Sequence, residues 1–256
     1  MTGAIIGDIV GSRFEINNIK SKDFELFTEH CCFTDDTVMT IAIADCMLHS
    51  KDYTATVRAY GKAHPGAGYG GMFKDWIAGK IKEPYNSWGN GSAMRVSPIG
   101  FALEEEGKVL VEAKRSAEIT HNHPEGIKGA QAIALAVWLA REGKSKQAIK
   151  AAIEVQFGYN LSRKIDEIRP IYKFDVSCQG SVPEAIIAFL ESTDFEDAIR
   201  TAISIGGDSD TIASMAGAIA EAYYPSIPQE IVEAMNDYLP DNFKQIIAVF
   251  TNKYGA

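Results

Sequence analysis

Two acidic runs could do metal chemistry in this chain: Phe33-Thr34-Asp35-Asp36-Thr37 near its start and Gly206-Gly207-Asp208-Ser209-Asp210-Thr211 near its end. Each opens an apolar stretch of helical periodicity, so each sets carboxylates and hydroxyls on a first helical turn. Ser, Thr and Asp are ordinary helix N-caps, and acid in the first turn suits the macrodipole, so either run alone reads as capping. One residue suffices to cap one helix, however, and both runs add a second carboxylate and a closing threonine. If the two turns met in space, four aspartates would converge with few cationic residues nearby in sequence. Two divalent cations would compensate such a site. Hard oxygen donors of this kind select magnesium or manganese over zinc.

A third segment, Gly7-Asp8-Ile9-Val10-Gly11-Ser12-Arg13-Phe14-Glu15, adds two more carboxylates. On a helix Asp8 and Glu15 would share a face, with the small Gly11 and Ser12 between them, so that a neighbouring helix or a ligand could come close. Asp8 reads as a structural hydrogen-bonding residue, and Glu15 taken alone as part of a solvated face. Glycine gathers in two loops, His64-Pro65-Gly66-Ala67-Gly68-Tyr69-Gly70-Gly71 and Ser87-Trp88-Gly89-Asn90-Gly91-Ser92. Such loops let backbone amides approach a ligand, and they are also ordinary turns.

Several signatures fail. Residues 66–71 match GxGxxG, but a helical stretch precedes them where a dinucleotide fold needs a strand. The Gly143-Lys144-Ser145 run has Trp138 where a phosphate loop needs its first glycine. His121-Asn122-His123 has no third histidine or cysteine at zinc spacing, so a histidine there is read as capping a helix or touching a ligand.

The elements that must position these groups are helical. Val38, Ile41, Ala44 and Leu48 form one apolar stripe; Ile127, Ala130, Ala134 and Val137 another; Ile212, Ala216, Ile219 and Tyr223 a third. Further helices are expected near 54–63, 108–120, 144–157, 182–191, 195–204, 228–238 and 242–253. Residues 171–176 are the best strand candidate. The fold class expected is all-α, a compact bundle. With 256 residues, 46% of them hydrophobic, and no linker or repeat, one domain over residues 1–256 is expected. A net charge of -9 argues against a long nucleic-acid footprint. Four cysteines without CxxC spacing suit reduced thiols, and no apolar run is long enough to span a membrane. A soluble, cytoplasmic monomer is the expectation.

Taken together, Gly7-Asp8, Gly11, Glu15, the Phe33–Thr37 run, Gly89-Asn90-Gly91-Ser92-Ala93-Met94-Arg95, Thr120-His121 and Gly207-Asp208-Ser209-Asp210-Thr211 resemble the ADP-ribosylglycohydrolase superfamily. The motifs keep the family's order and cover nearly the whole chain. The resemblance implies an all-α fold around a dinuclear magnesium or manganese centre. It implies that Thr34, Asp35 and Asp36 hold one ion and that Asp208 and Thr211 hold the other, with Asp210 bridging. By the same resemblance Gly66, Gly68 and Tyr69 wrap a diphosphate, Ser87, Trp88, Gly89 and Asn90 line an ADP-ribose cleft, and His121 lies near the ligand. The implied reaction cleaves the bond at C1 of the distal ribose in an ADP-ribosylated protein or small-molecule adduct, releasing ADP-ribose. Asp36 or a metal-bound water would activate the nucleophile, with Glu15 as acid/base or as a gate. The alternatives are a non-catalytic ADP-ribose or nucleotide-binding module and a two-metal phosphohydrolase.

Overall fold

The computed structural model describes residues 1–255. In chain order the helices are α1 (Thr2–Gly11), α2 (Asp35–His49), α3 (Tyr53–Ala63), α4 (Gly71–Ile77), α5 (Gly91–Met94), α6 (Ser97–Ala102), α7 (Glu106–Glu118) and α8 (Pro124–Arg141). They continue as α9 (Lys146–Phe157), α10 (Ile165–Ile168), α11 (Cys178–Glu191), α12 (Phe195–Ile205), α13 (Ser209–Tyr223), α14 (Gln229–Asn236) and α15 (Asp241–Tyr254). The all-α class is borne out, and each expected helical segment is present with its ends moved by a few residues. The strand expected at 171–176 does not form. That stretch is a turn followed by extended chain, and among the described residues it ends in a single isolated bridge between Gly89 and Ser177. The pairing stops there because Ser177 immediately caps α11, its side chain accepting from the Gly180 amide.

Two helices form the centre. Every residue of α1 is buried, as is α13 from Ser209 to Ala220. A helix buried all round cannot be amphipathic, and both are rich in Ile, Ala and Gly instead of carrying one apolar stripe. Their contact is made by glycine. Gly3, Gly7 and Gly11 recur every fourth residue and so form one ridge of α1. A Cβ on Gly7 would overlap the Ala213 carbonyl, and one on Gly11 would lie 2.5 Å from the Asp210 Cα. The backbones therefore touch, and this close approach sets Asp210 beside the end of α1. Gly7→Ala should destabilise the protein by about 1–3 kcal/mol through overpacking, whereas Gly107→Ala, where an added Cβ meets nothing within 4 Å, should cost nothing. Denaturant melts of the two variants would compare them directly, and equal midpoints would contradict the glycine ridge.

α1 does not run on to Glu15. It passes into a 3-10 turn over Ser12–Phe14, so Glu15 leaves the helical face that seven-residue spacing predicts for it. The chain beyond is tied back to the second acidic run. The Asn18 side-chain amide donates to the Gly207 carbonyl at 2.9 Å, and the Gly207 amide donates to Asn18 Oδ1 at 2.7 Å. Gly206 and Gly207 both have φ of +74°, a conformation glycine alone adopts without strain, and this double turn delivers Asp208 to the start of α13.

Candidate active site

The first turns of α2 and α13 meet. Thr34 caps α2 by accepting from the Asp36 amide at 3.3 Å, so the capping reading holds for that residue. Asp208 stands at the cap position of α13 but makes no cap hydrogen bond; its carboxylate instead accepts from Asn90 Nδ2 at 2.6 Å. Asp8 is fully buried and receives the Thr34 amide at 2.9 Å, the Thr34 hydroxyl at 2.6 Å and the Thr37 amide at 3.0 Å. It therefore locks the start of α2 onto α1, as expected of a structural hydrogen-bonding residue. Thr211 Oγ1 donates to Asp36 Oδ2 at 3.1 Å and joins the two acidic turns directly.

Two sets of carboxylates result. Asp8, Asp36 and Asp210 can bring one oxygen each within 4.8 Å of one another, and so can Glu15, Asp208 and Asp210. Asp210 belongs to both. Asp35 lies in neither set, although it lines the same cleft, while Glu15, read from sequence as an acid/base or gate, stands among possible ligands.

Burial and mutual repulsion dominate the electrostatics of these acids. Burial, reinforced by the charges of Asp8, Asp35 and Asp208, holds Asp36 well above the usual carboxylate range. Burial and then the Asp36 and Asp208 charges do the same to Asp210. Asp35 is pushed up to about 7, first by loss of water and then by the Asp8 charge. Glu15 is raised by burial, then by Asp208 and Asp8. Among the described residues none of these acids, nor Asp8 or Asp208, is in an ion pair. Asp36 Oδ1 is buried with no hydrogen-bond partner. A buried carboxylate oxygen left unpaired inside an acidic cluster is a donor that suits a hard divalent cation.

The acids floor a cleft of about 380 Å³. Of the residues the sequence singles out, Glu15, Thr34, Asp35, Asp36, Gly68, Ser87, Asn90, His121, Asp208, Asp210 and Thr211 line it. The others sit differently. Gly66 faces a separate depression with His64 and Pro65. Tyr69 is buried and does not line the cleft, and among the described residues its hydroxyl has no partner. Trp88 is 53% exposed and packs edge-on against His123. Gly89 holds the wall from behind, in the bridge to Ser177. His123 caps α8, its Nδ1 accepting from the Glu125 amide at 3.1 Å. Sequence reasoning assigned no role to Tyr85, Met72 or Arg95, all of which also line the cleft. An exposed-looking tyrosine and methionine carry no sequence signal, but an arginine at the end of a Gly-Ser-Ala-Met helix does. Arg95 is fully buried and among the described residues has no carboxylate partner, which is costly unless its surroundings use the charge.

Residues 1–255 match the ADP-ribosylglycohydrolase family, and the chain belongs to it. It is accordingly an enzyme of the ADP-ribosylglycohydrolase class. It is 28% identical to ADP-ribosylhydrolase ARH3 of Bos taurus, over 93% of this chain and 88% of that one. It is 30% identical to ADP-ribosylhydrolase ARH3 of Mus musculus, over 88% of this chain and 82% of the relative. ADP-ribosylarginine hydrolase Tri1 of Pseudomonas putida is 26% identical over 91% of this chain and 72% of its own length. In fold the chain is similar to an ADP-ribosylglycohydrolase-related protein complex, with a TM-score of 0.74 at 22% identity, covering 98% of this chain and 95% of that one. The family resemblance expected from the sequence is thus borne out. Among the described residues no helix is long and apolar enough to cross a membrane.

Proposed function

We propose that this enzyme hydrolyses the glycosidic bond at C1 of the distal ribose in ADP-ribosylated substrates, with two divalent cations, magnesium or manganese, bound between α2 and α13. The observation that carries this reading is the meeting of two acidic turns, remote in sequence, at the floor of one cleft of about 380 Å³. Thr34, Asp35 and Asp36 on one side and Asp208 and Thr211 on the other are the proposed ligands. Asp210 lies between the sets, and Asp8 and Glu15 are within reach of them. Bound there, the cations would supply charge stabilisation and orient sugar hydroxyls and water.

The chain's own groups can then serve the reaction in stated ways. Asp36, once bound cations compensate its neighbours and leave it ionised, is the proposed acceptor of a proton from the attacking water. Glu15 is half-buried, with its carboxyl raised by burial, Asp208 and Asp8, and it is the proposed donor of a proton to the departing group. The balance is that of ordinary hydrolysis. A C1–O bond forms from water, the bond from C1 to the acceptor breaks, and the acceptor leaves with the proton. Ser87, Asn90, Gly68 and His121 line the cleft beside the acids and are the proposed contacts to the rest of the ADP-ribosyl group, with Gly66, Tyr69, Trp88 and Gly89 shaping the loops around them.

The test is a panel of arginine-, serine- and O-acetyl-linked ADP-ribose compounds incubated with either ion or with chelator, the products weighed by mass spectrometry. Intact ADP-ribose, formed only with metal, is the expected product. Inorganic phosphate would make the protein a phosphohydrolase, and affinity without turnover a binding module. Within the same assay Glu15→Gln should lower kcat by about a hundredfold while calorimetric affinity for ADP-ribose stays within a few fold; joint loss of binding and fold would make Glu15 structural.

A further inference from the structure

Arg95 reaches a histidine through one threonine. Its Nη2 donates to the Ser116 carbonyl at 3.0 Å and to Thr120 Oγ1 at 3.0 Å. Thr120 Oγ1 in turn lies 2.7 Å from His121 Nδ1. Arg95 and Thr120 are fully buried and His121 is 5% exposed, so no solvent substitutes for these partners.

The direction of the chain follows from what each group can do. A guanidinium only donates, so the threonine oxygen accepts from Arg95. The threonine hydroxyl then has one hydrogen to place, and among the described residues its remaining partner is His121 Nδ1. A hydrogen on Nδ1 instead would leave two donors aimed at one oxygen and the buried hydroxyl hydrogen with no acceptor. Nδ1 is therefore the acceptor, and the ring hydrogen sits on Nε2. Burial, and after it the Arg95 charge, holds His121 well below the usual histidine range, which agrees with a neutral ring.

Among the described residues Nε2 has no hydrogen-bond partner, while the ring lines the cleft. The neighbouring glycines keep this edge open: a Cβ on Gly91 would lie 3.2 Å from Nε2, and one on Gly89 3.6 Å. Tyr85 holds the ring's other side, centroids 6.2 Å apart.

We infer that Arg95 and Thr120 are positioning residues that fix His121 as the neutral Nε2–H tautomer, so that it presents one uncharged donor to an acceptor oxygen of the bound ADP-ribosyl group. A fixed neutral donor suits this cleft, because an imidazolium would compete with the cations for its acids. The inference rests on the glycohydrolase reading only for the identity of the ligand; the tautomer belongs to the free protein.

The experiment is long-range ¹H–¹⁵N correlation of the histidine rings at pH 7 in the whole protein, with His121 assigned from its absence in His121→Gln. The expected pattern for His121 is a protonated Nε2 and an unprotonated Nδ1. Thr120→Val should abolish that pattern and weaken calorimetric ADP-ribose affinity by about tenfold, the equivalent of one hydrogen bond, and Thr120→Ser should restore both. A protonated Nδ1 in the wild type overturns the inference, whether or not the valine variant folds. So does a folded Thr120→Val protein that keeps the wild-type affinity. A wild type that shows the expected tautomer and binds ADP-ribose, yet cleaves no ADP-ribosyl adduct, would support the relay and refute the glycohydrolase reading.

Discussion

Asp210→Asn should lower metal-dependent turnover at least about a thousandfold while leaving the protein folded, and in chelator the variant should be more stable than wild type. Asp210 is the one carboxylate common to both acidic sets, so its loss would weaken both proposed cation positions together. Charge stabilisation by bound metal is worth several kcal/mol in a transition state, and each 1.4 kcal/mol is about a factor of ten in rate. The gain in stability has the opposite origin. Without cations Asp210 is a buried carboxyl whose ionisation is opposed by burial, Asp36 and Asp208. An isosteric amide removes that like-charge repulsion. Activity and stability changing in opposite directions marks a residue kept for its chemistry. Wild-type turnover in Asp210→Asn, or a variant that simply unfolds, would contradict the assignment. Steady-state assays and thermal melts on the same samples would decide it.

Magnesium or manganese should raise the thermal midpoint of the chelated protein by about 5–10 °C at an ion concentration a hundredfold above Kd, since such binding contributes about 2.7 kcal/mol and a domain of this size shifts about 2–4 °C per kcal/mol. The same ions should flatten a pH dependence visible only without them. In the chelated protein these acids have folded-state pKa values above their unfolded values, near 3.9 for aspartate. Protons therefore bind the folded form preferentially between the two values. The destabilisation is fully present above the folded value, about 7 for Asp35, and is relieved as pH falls through it. The chelated midpoint should thus rise from pH 8 to pH 6, and the metal-loaded midpoint should change little. A chelated protein that loses stability over that interval, or a midpoint indifferent to either ion, would count against a cation site at this cluster.

Much of the candidate site is legible in the sequence because the groups that converge carry their own local signals. The Thr34–Asp36 and Asp208–Thr211 runs exceed what capping needs, and the excess carboxylates are those that meet at the cleft floor. What was not legible depends on three-dimensional approach. The ridge of Gly3, Gly7 and Gly11 is visible as a four-residue repeat, yet nothing local says that α13 is the helix it admits. Glu15 was expected on the face of Asp8; the 3-10 turn after Gly11 carries it instead toward Asp208 and Asp210. Asn18 is an ordinary polar residue until the Gly206-Gly207 turn arrives to exchange two hydrogen bonds with it. The 171–176 stretch alternates as a strand would, but pairing needs a partner, and the adjoining Trp88–Asn90 loop offers one bridge before α11 begins. Arg95 and Thr120 were part of a motif without a role, because a hydrogen-bond relay is a property of atoms and not of spacing.

The central claim is that the first turns of α2 and α13 jointly hold a pair of divalent ions. Anomalous diffraction from crystals of this protein grown with manganese tests it most directly. Two peaks should lie at the cleft floor, one on each side of Asp210, with Asp36 and Asp208 on opposite sides. A map with no peak among these carboxylates at saturating manganese would contradict the account.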